Sequence, residues 1–281
     1  MEENQNQQNS FNNYGKMTVN TLRMPLWRQL INSFCGARKY PQFLQLPGGS
    51  VVLYFFFLVF IVTIFSVVVP NVGYTIGVGG LTHYITETIP DFELKNGKLA
   101  VDGTMEYESG SVKLYVNTEE TEYTKEDIDE NAYVQILVSS SNLLLYSNGM
   151  VNSYSFSDFS GVSWDKKQLL QSVPLLYVLM VLYWVISYLG KILYILSTVL
   201  LLAVVGMFSN SMYQFGMSFK QLFILALYAT TIISILESIN TALALVSSTI
   251  AGMVGMIWTA FVFFAALAIC GSLNRAGKGV N

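Results

Sequence analysis

The stretch Val51–Val69, VVLYFFFLVFIVTIFSVVV, contains no charged residue and decides the class of fold. At the helical rise of 1.5 Å per residue it would extend for about 28 Å, close to the roughly 30 Å of a bilayer's hydrocarbon core. The whole chain has 281 residues, of which 53% are hydrophobic and only 12% charged. Because soluble domains carry about 25% charged residues, the sequence predicts an α-helical integral membrane protein with a first span over residues 51–72.

The segment before this span is polar and basic. Residues 1–22 are rich in Asn and Gln and are predicted to form a disordered cytoplasmic tail. Within residues 23–50, an apolar set recurs at helical spacing, which predicts an amphipathic helix; its members are Met24, Trp27, Leu30, Ile31 and Phe34. The helix would lie either in the interface on the anionic leaflet or against the cytoplasmic end of the bundle.

Charge asymmetry predicts the orientation. Residues 1–50 hold five basic side chains (Lys16, Arg23, Arg28, Arg38, Lys39) and two acidic ones (Glu2, Glu3). The positive-inside rule therefore places the N-terminus in the cytoplasm. Residues 73–167 would then face outward from the plasma membrane.

This outward segment has ordinary polarity, with 15 acidic and 6 basic side chains in residues 73–167. We predict a small extracytoplasmic β-rich (α+β) domain inserted after the first span. Asn96-Gly97 between two short runs is a strong signal for a two-residue hairpin. Thr124 with Asp127 resembles a capping box, and Ser163–Gln171 is predicted as a linker helix. Further strand candidates are Lys113–Asn117, Tyr133–Ser139, Asn142–Tyr146 and Met150–Phe156.

The C-terminal bundle, residues 168–272, leaves two span counts open. The five-span prediction places spans at about 172–189, 191–208, 221–240 and 249–271, with a tight turn at Gly190-Lys191 and a tail at 273–281. The alternative is four spans, with one long tilted helix over residues 173–208. The positive-inside rule favours four. Length favours five, because a single helix would extend for about 54 Å.

One acidic side chain, Glu237, lies within these apolar tracts, and an ionisable residue in a span indicates a functional site by default. Steps of four, three and four place a polar set on one helical face: Thr230, Ser234, Glu237 and Thr241. This face could line a path for a proton or solute. Alternatively, Glu237 is structural, because it falls near the end of its helix or bonds across helices.

Two ladders of small residues precede or lie in the last span. Small side chains four residues apart let helix backbones approach closely, within the bundle or in a dimer. The ladders are Ala244, Ser248, Gly252 and Ala251, Gly255, Thr259.

Motifs that carry enzyme chemistry are missing from the sequence. It contains no phosphate-binding loop, no H-E-x-x-H zinc motif and no G-x-S-x-G elbow. Its one histidine, His83, leaves little for a catalytic triad, and its two cysteines, Cys35 and Cys270, do not form a disulfide framework. We predict a protein that is not an enzyme, with no catalytic, cofactor-binding or metal-binding residue.

Three stretches carry a family resemblance: the basic segment from Trp27 to Tyr40-Pro41, IPDFELKNGKL at 89–99, and KQLF at 220–223 followed by ALYA at 226–229. Together they resemble a bacterial multi-pass family of unknown function, mainly Gram-positive, in which some members are labelled maltodextrin-utilisation proteins. The third stretch is also similar to the Yip family of five-span proteins, which act in membrane traffic through protein interaction. The resemblance implies five spans and a scaffolding role. Many relatives carry a proline after the position of Ala229, where this chain continues with Thr230-Thr231.

A folded outward domain joined to a bundle with few ionisable groups predicts a non-enzymatic accessory or regulatory protein whose outward domain binds a partner or ligand. The resemblance implies an association with carbohydrate uptake. The alternative function is a small-solute permease or transporter subunit that uses the polar face around Glu237. Predicted partners are the lipid bilayer, a membrane protein such as a transporter complex, and further copies of the chain. Nucleic acid is excluded, because no basic cluster interleaves with aromatic residues.

Overall fold

The computed structural model describes residues 23–109, 112–129, 133–147, 149–243 and 245–278. The chain divides into two compact units. The helical unit comprises Met1–Gly73 and Val181–Asn281, and the β unit comprises Tyr74–Met180. The tail predicted for residues 1–22 lies outside the described residues.

The predicted amphipathic helix is present as α1, Leu26–Phe34. A 3-10 helix, Ala37–Gln45, follows it and includes Pro41. Gly36, with a φ of 85°, separates the two. Both helices belong to the helical unit, where Tyr40, Phe43 and Leu46 are almost completely buried.

The first long apolar helix, α2, runs from Gly48 to Gly77 and so extends beyond the predicted 51–72 at both ends. Pro70 lies inside it. A proline has no N–H and its ring clashes with the carbonyl four residues earlier, here that of Ser66. A π-helical turn at Ile64–Val68 widens the helix there, and the amide of Val69 donates to the carbonyl of Ile64. This wider turn lets the helix continue through the proline.

The turn predicted at Gly190-Lys191 is absent. Val173–Met212 is one continuous helix of 40 residues, α5. A lone glycine between two apolar runs brings no polar capping group, and in apolar surroundings the backbone is satisfied best by an unbroken helix. Helix α6 spans Phe219–Leu243 and α7 spans Ser248–Lys278, so α7 continues into residues predicted as the tail 273–281.

Within the described residues, four helices are long and apolar enough to cross a membrane: α2, α5, α6 and α7. Four is the number of spans in the four-span alternative. The number of times that the chain crosses the membrane stays a prediction. Helix α6 is the most buried of the four, with 67% of its most apolar stretch inside the molecule, against 22% for α5. A helix that is apolar all round belongs inside a bundle, and α6 is the central helix of the helical unit.

Tyr228, in the first half of α6, is the centre of an aromatic cluster. Its ring stacks on Phe43 at a centroid distance of 3.7 Å and on Tyr54 at 4.6 Å. The Tyr40 hydroxyl donates to the carbonyl of Tyr228 at 3.1 Å. The N-terminal segment is therefore packed into the helical unit rather than attached loosely to it.

The β unit begins with a short helix, α3, Leu81–Glu87. A first sheet has the order β2-β1-β8, made of Phe92–Lys95, Lys98–Val101 and Trp164–Asp165 as β1, β2 and β8. The predicted hairpin is confirmed: Lys95 pairs with Lys98, and Asn96 and Gly97 both have positive φ. The predicted linker helix begins later than Ser163, because β8 comes first; α4 spans Lys166–Gln171 and starts at an Asp165 capping box.

The second sheet has the order β3-β4-β5-β6-β7 and all its neighbours are antiparallel except β4 and β5. The strands are Met105–Ser109, Val112–Val116, Val134–Val138, Asn142–Ser147 and Met150–Ser155. The last four confirm predicted strands, whereas β3 was not predicted. The crossover between β4 and β5 carries a 3-10 helix, Lys125–Asp127, which starts at the predicted Thr124 capping box. A last 3-10 turn, Phe156–Phe159, follows β7.

Candidate functional site

The predicted polar face of α6 points three of its four side chains into one cavity: Thr230, Ser234 and Glu237. Thr230 is almost completely buried and donates its hydroxyl to the carbonyl of Leu227 at 2.9 Å. Ser234 and Glu237 are half-buried. Thr241 is exposed, does not line the cavity and donates to the backbone carbonyl of Glu237. Three of the four residues of the predicted face therefore share one cavity, while their role stays a prediction.

The cavity has a volume of about 210 Å³ and lies within the helical unit, between α5, α6 and α7. Most of its wall is apolar, with aliphatic side chains such as Ile195, Leu202 and Ile233. Ligand sites commonly combine an apolar lining with a few polar groups that fix orientation. The polar groups here are Tyr194, Thr198, Thr230, Ser234, Glu237 and Thr259.

Thr259 contributes an unsatisfied hydrogen-bonding group to the cavity wall. Its hydroxyl is buried and has no hydrogen-bond partner among the residues that the structure describes, and the whole residue is 6% exposed. Thr198, by contrast, donates to the carbonyl of Tyr194 at 3.0 Å. A buried hydroxyl without a partner costs about 1–3 kcal/mol, so a ligand that supplied one would gain from meeting it.

Glu237 supplies the only acidic side chain of the cavity wall. Among the described residues no hydrogen bond reaches its carboxylate. Lys191 on α5 interacts with it electrostatically, and the Lys191 ammonium lies 5.8 Å from the centre of the Tyr194 ring. The carboxylate in the cavity wall therefore has one cation within electrostatic reach, although Lys191 itself does not line the cavity. A single carboxylate in an apolar wall suits a cation, an amphipathic amine or a proton in transit.

Close helix packing at Gly255 sets the position of Glu237. A methyl group added at Gly255 would lie 2.7 Å from Glu237 Oε1 and would also collide with Ile233. This glycine belongs to the second predicted ladder, whose Thr259 also lines the cavity. The ladder therefore brings α7 against α6 at the site, which is the intramolecular use of small residues.

The first ladder does not show such packing. A methyl group at Gly252 would meet nothing within 4 Å. Ala244 and the side chain of Ser248 lie outside the described residues. Ala251, of the second ladder, is half-buried and does not line the cavity.

Sequence reasoning missed the contribution of α5 to the site. Lys191, Tyr194 and Thr198 follow each other at steps of three and four, so they share a helical face. That spacing was available as a signal, but a predicted turn at Gly190-Lys191 divided the segment at the start of this face. One continuous helix brings Tyr194 and Thr198 to the cavity.

A second concave surface lies in the β unit, beside β3, β4 and β5, and has a volume of about 330 Å³. We call it the acidic groove. Lys113 lies in it and contacts Asp129 at 2.9 Å and Glu108 at 4.0 Å. The hydrogen bond that the Lys113 ammonium donates to the Asp129 carboxylate raises the pKa of Lys113 above its usual range. The other polar and aromatic lining residues are Glu106, Tyr107, Tyr115, Tyr123, Asp127 and Gln135.

The residues that the structure describes contain no group of three or more His, Cys, Asp or Glu side chains placed to hold a metal ion. No curated protein and no solved structure was found to match the chain. A family model described as "Protein of unknown function (DUF1189)" matches residues 27–269. That range contains all of α1 except Leu26, together with the cavity and the acidic groove, and it agrees with the resemblance to an uncharacterised family. The chain belongs to the DUF1189 family.

Proposed function

We propose that this protein is a non-enzymatic accessory or regulatory protein of the bacterial plasma membrane, whose β unit faces outward and binds a ligand or partner. The observation that carries the proposal is the acidic groove. It combines tyrosine rings with carboxylates on one concave surface. The four apolar helices would serve to hold this surface at the membrane.

The chemistry of the acidic groove suits a polyhydroxylated ligand. The half-buried Tyr115 offers a ring that can stack on the apolar face of a sugar, and Tyr123 packs beside it at a centroid distance of 6.3 Å. The carboxylates of Glu106, Glu108 and Asp127 accept hydrogen bonds from hydroxyl groups. This matches the carbohydrate-uptake association that the family resemblance implies. The Yip likeness supports a scaffolding role in the same proposal, with a transporter complex or a second copy of the chain as the membrane partner.

Calorimetric titration of the full-length protein in nanodiscs with maltodextrin tests the proposal. We expect saturable binding that Tyr115→Ala weakens by about threefold to tenfold, because one stacking contact contributes about 0.5–1.5 kcal/mol. Tyr146→Ala is the matched control, since Tyr146 is also a half-buried tyrosine of the same sheet but lies outside the groove. Failure to bind maltodextrin, together with failure to recover a membrane partner from detergent extracts, would contradict the proposal.

The cavity around Glu237 favours a second candidate function, a small-solute permease or transporter subunit. The supporting observation is the buried, unpartnered Thr259 hydroxyl on the same wall as the Glu237 carboxylate. Glu237 lies 18 residues after Phe219, about 27 Å along α6. This position is off-centre in a bilayer core of about 30 Å.

An uptake assay in a deletion strain complemented with variants tests this candidate. Glu237→Gln keeps the size of the side chain and removes its charge, so uptake of the solute should be lost. Thr241→Val is the matched control, because Thr241 lies on the same face of α6 but outside the cavity. Uptake at the unaltered rate with Gln at position 237 would exclude a transport role for the carboxylate.

A further inference from the structure

Helix α1 buries its polar face against the helical unit and exposes its apolar face. Gln29 and Ser33, both polar, are completely buried against the helical unit. Trp27, Ile31 and Phe34 are 57%, 51% and 45% exposed, and their spacing of four and three places them on one face. A helix on the surface of a water-soluble protein shows the opposite arrangement. The exposed apolar face of α1 is therefore expected to contact lipid or another protein rather than water.

Hydrogen bonds fix the helix in this orientation. The Gln29 amide donates to the Ser50 hydroxyl and to the carbonyl of Met24, each at 2.8 Å. The Tyr228 hydroxyl donates to Gln29 Oε1 at 2.6 Å, and Ser33 donates to the carbonyl of Leu30 at 2.6 Å. Of these bonds, only those to Ser50 and Tyr228 reach other helices; turning the apolar face inward would break these two and leave buried polar groups unpaired.

The basic side chains around α1 indicate what the apolar face contacts. Arg23, Arg28, Arg38 and Lys39 are all exposed around α1, and residues 23–50 contain no acidic side chain. The Arg28 guanidinium lies 5.6 Å from the centre of the Trp27 ring. Tryptophan beside arginine is typical of the layer where lipid headgroups meet acyl chains.

The position of α1 at the start of α2 agrees with a place in the layer where lipid headgroups meet acyl chains. Gln29 bonds to Ser50, in the first turn of α2, and α2 is one of the helices long enough to cross a bilayer. A short helix at the start of such a span lies where the headgroups would be. Its exposed face would then contact acyl chains while its basic side chains reach phosphate groups.

We propose that α1 is an interfacial anchor that binds an anionic lipid surface through Trp27, Ile31 and Phe34 together with the surrounding basic side chains. Anionic lipid is favoured over neutral lipid because each basic side chain near the surface is attracted to negatively charged headgroups. The anchor is independent of the acidic groove and of the cavity around Glu237. Through Gln29 and Tyr228 it is bonded to α6, the helix that carries Glu237.

Fluorescence quenching in nanodiscs tests the proposal on the full-length chain. In a variant that keeps Trp27, with Trp164, Trp184 and Trp258 replaced by Phe, emission should be quenched by brominated lipid and shielded from acrylamide. In mixed nanodiscs, brominated phosphatidylglycerol should quench about twofold more strongly than brominated phosphatidylcholine. Replacing Arg28, Arg38 and Lys39 together by Gln should bring this ratio close to one. A variant that keeps only Trp164, exposed in the β unit, is the water-accessible control.

Three results would overturn the proposal. Acrylamide access to Trp27 equal to that of Trp164 would mean that the face meets water. Shielding from both acrylamide and brominated lipid would mean that a protein covers it. Equal quenching by the two lipids would exclude an anionic surface. If the tryptophan replacements prevent folding, an environment-sensitive dye on the native thiol of Cys35 gives the same readout, because Cys35 is exposed just after α1 and Cys270 is buried.

Discussion

Gly255 is the residue on which the geometry of the cavity depends most directly. It has no side chain, so Ile233 and the Glu237 carboxylate can lie against the backbone of α7. Helix association in a membrane relies on such close approaches, because the hydrophobic effect gives no preference for a helix over lipid. The cavity wall is therefore formed by the absence of a side chain at position 255 as much as by the side chains around it.

We expect Gly255→Ala to destabilise the helical unit by about 1–3 kcal/mol, the usual cost of forcing extra atoms into a packed contact. Gly252→Ala is the matched control on the same helix, since its methyl group would meet open space and alanine favours a helix over glycine. Thermal unfolding of the detergent-solubilised proteins measures both. Equal melting temperatures for the two variants would show that α6 and α7 do not meet at Gly255.

At the scale of residues, the sequence predicted which side chains share one face of a helix. Thr230, Ser234 and Glu237 share a face because of their spacing alone, and that face lines the cavity. The partners across the cavity, Tyr194 and Thr259, could not be assigned to it, because helix spacing does not say which helices are neighbours. The buried face of α1 was also not predicted. The sequence left open whether the helix lies in the interface or packs on the bundle, and it did not indicate that Gln29 contacts the bundle through specific hydrogen bonds.

Among the elements, the β1–β2 hairpin shows how a turn sequence fixes a register. Asn96 and Gly97 have φ values of 53° and 73°, which a two-residue turn of this type requires at both positions. The backbone of the 3-10 turn Phe156–Phe159 also lies close by, since a methyl group at Gly97 would be 2.9 Å from the Ser157 Cα. The glycine is needed for its conformation and for the space it leaves.

We expect Gly97→Ala to weaken the hairpin more than Gly103→Ala, because both glycines have positive φ but only Gly97 has a close backbone neighbour. Each substitution should cost about 1 kcal/mol for the left-handed conformation, and Gly97→Ala should cost more through the contact with Ser157. Amide hydrogen exchange in Phe92–Lys95 and Lys98–Val101 measures the effect. Equal exchange in the two variants would mean that the turn at Phe156–Phe159 does not press on the hairpin.

Elements with strong local signals were predicted, and those that depend on distant partners were not. The hairpin and the Thr124 capping box were predicted correctly, because both are local. Strand β3, Met105–Ser109, alternates glutamate with apolar residues and is too short to identify without its partner β4. The parallel pairing of β4 with β5 depends on a crossover of 17 residues between Val116 and Val134, and no short motif encodes it.

For the whole molecule, the direction in which the helices run decides the side of the C-terminus. In the helical unit a methyl group at Gly48, where α2 starts, would lie 3.9 Å from the Lys220 ammonium, so α6 starts at the same end. The Asn274 amide, near the end of α7, donates to the carbonyl of Phe215 just before α6. The start of α2 and the end of α7 therefore lie at the same end of the helical unit. Basic residues are concentrated there, including Lys220 and Arg275.

This arrangement predicts a cytoplasmic C-terminus, as four crossings require and five exclude. In intact cells, a membrane-impermeant maleimide should label Asp158→Cys in the β unit but not Ala276→Cys, both in a Cys35→Ser background. Asp158 and Ala276 are exposed, so permeabilised cells should label both and serve as the accessibility control. Labelling of Ala276→Cys from outside would mean an odd number of crossings, and the 40-residue helix α5 would then have to pass the membrane twice, with a break at Gly190-Lys191. Because one unbroken α5 of about 60 Å is longer than the bilayer core, four crossings also require that it tilt or extend beyond the core.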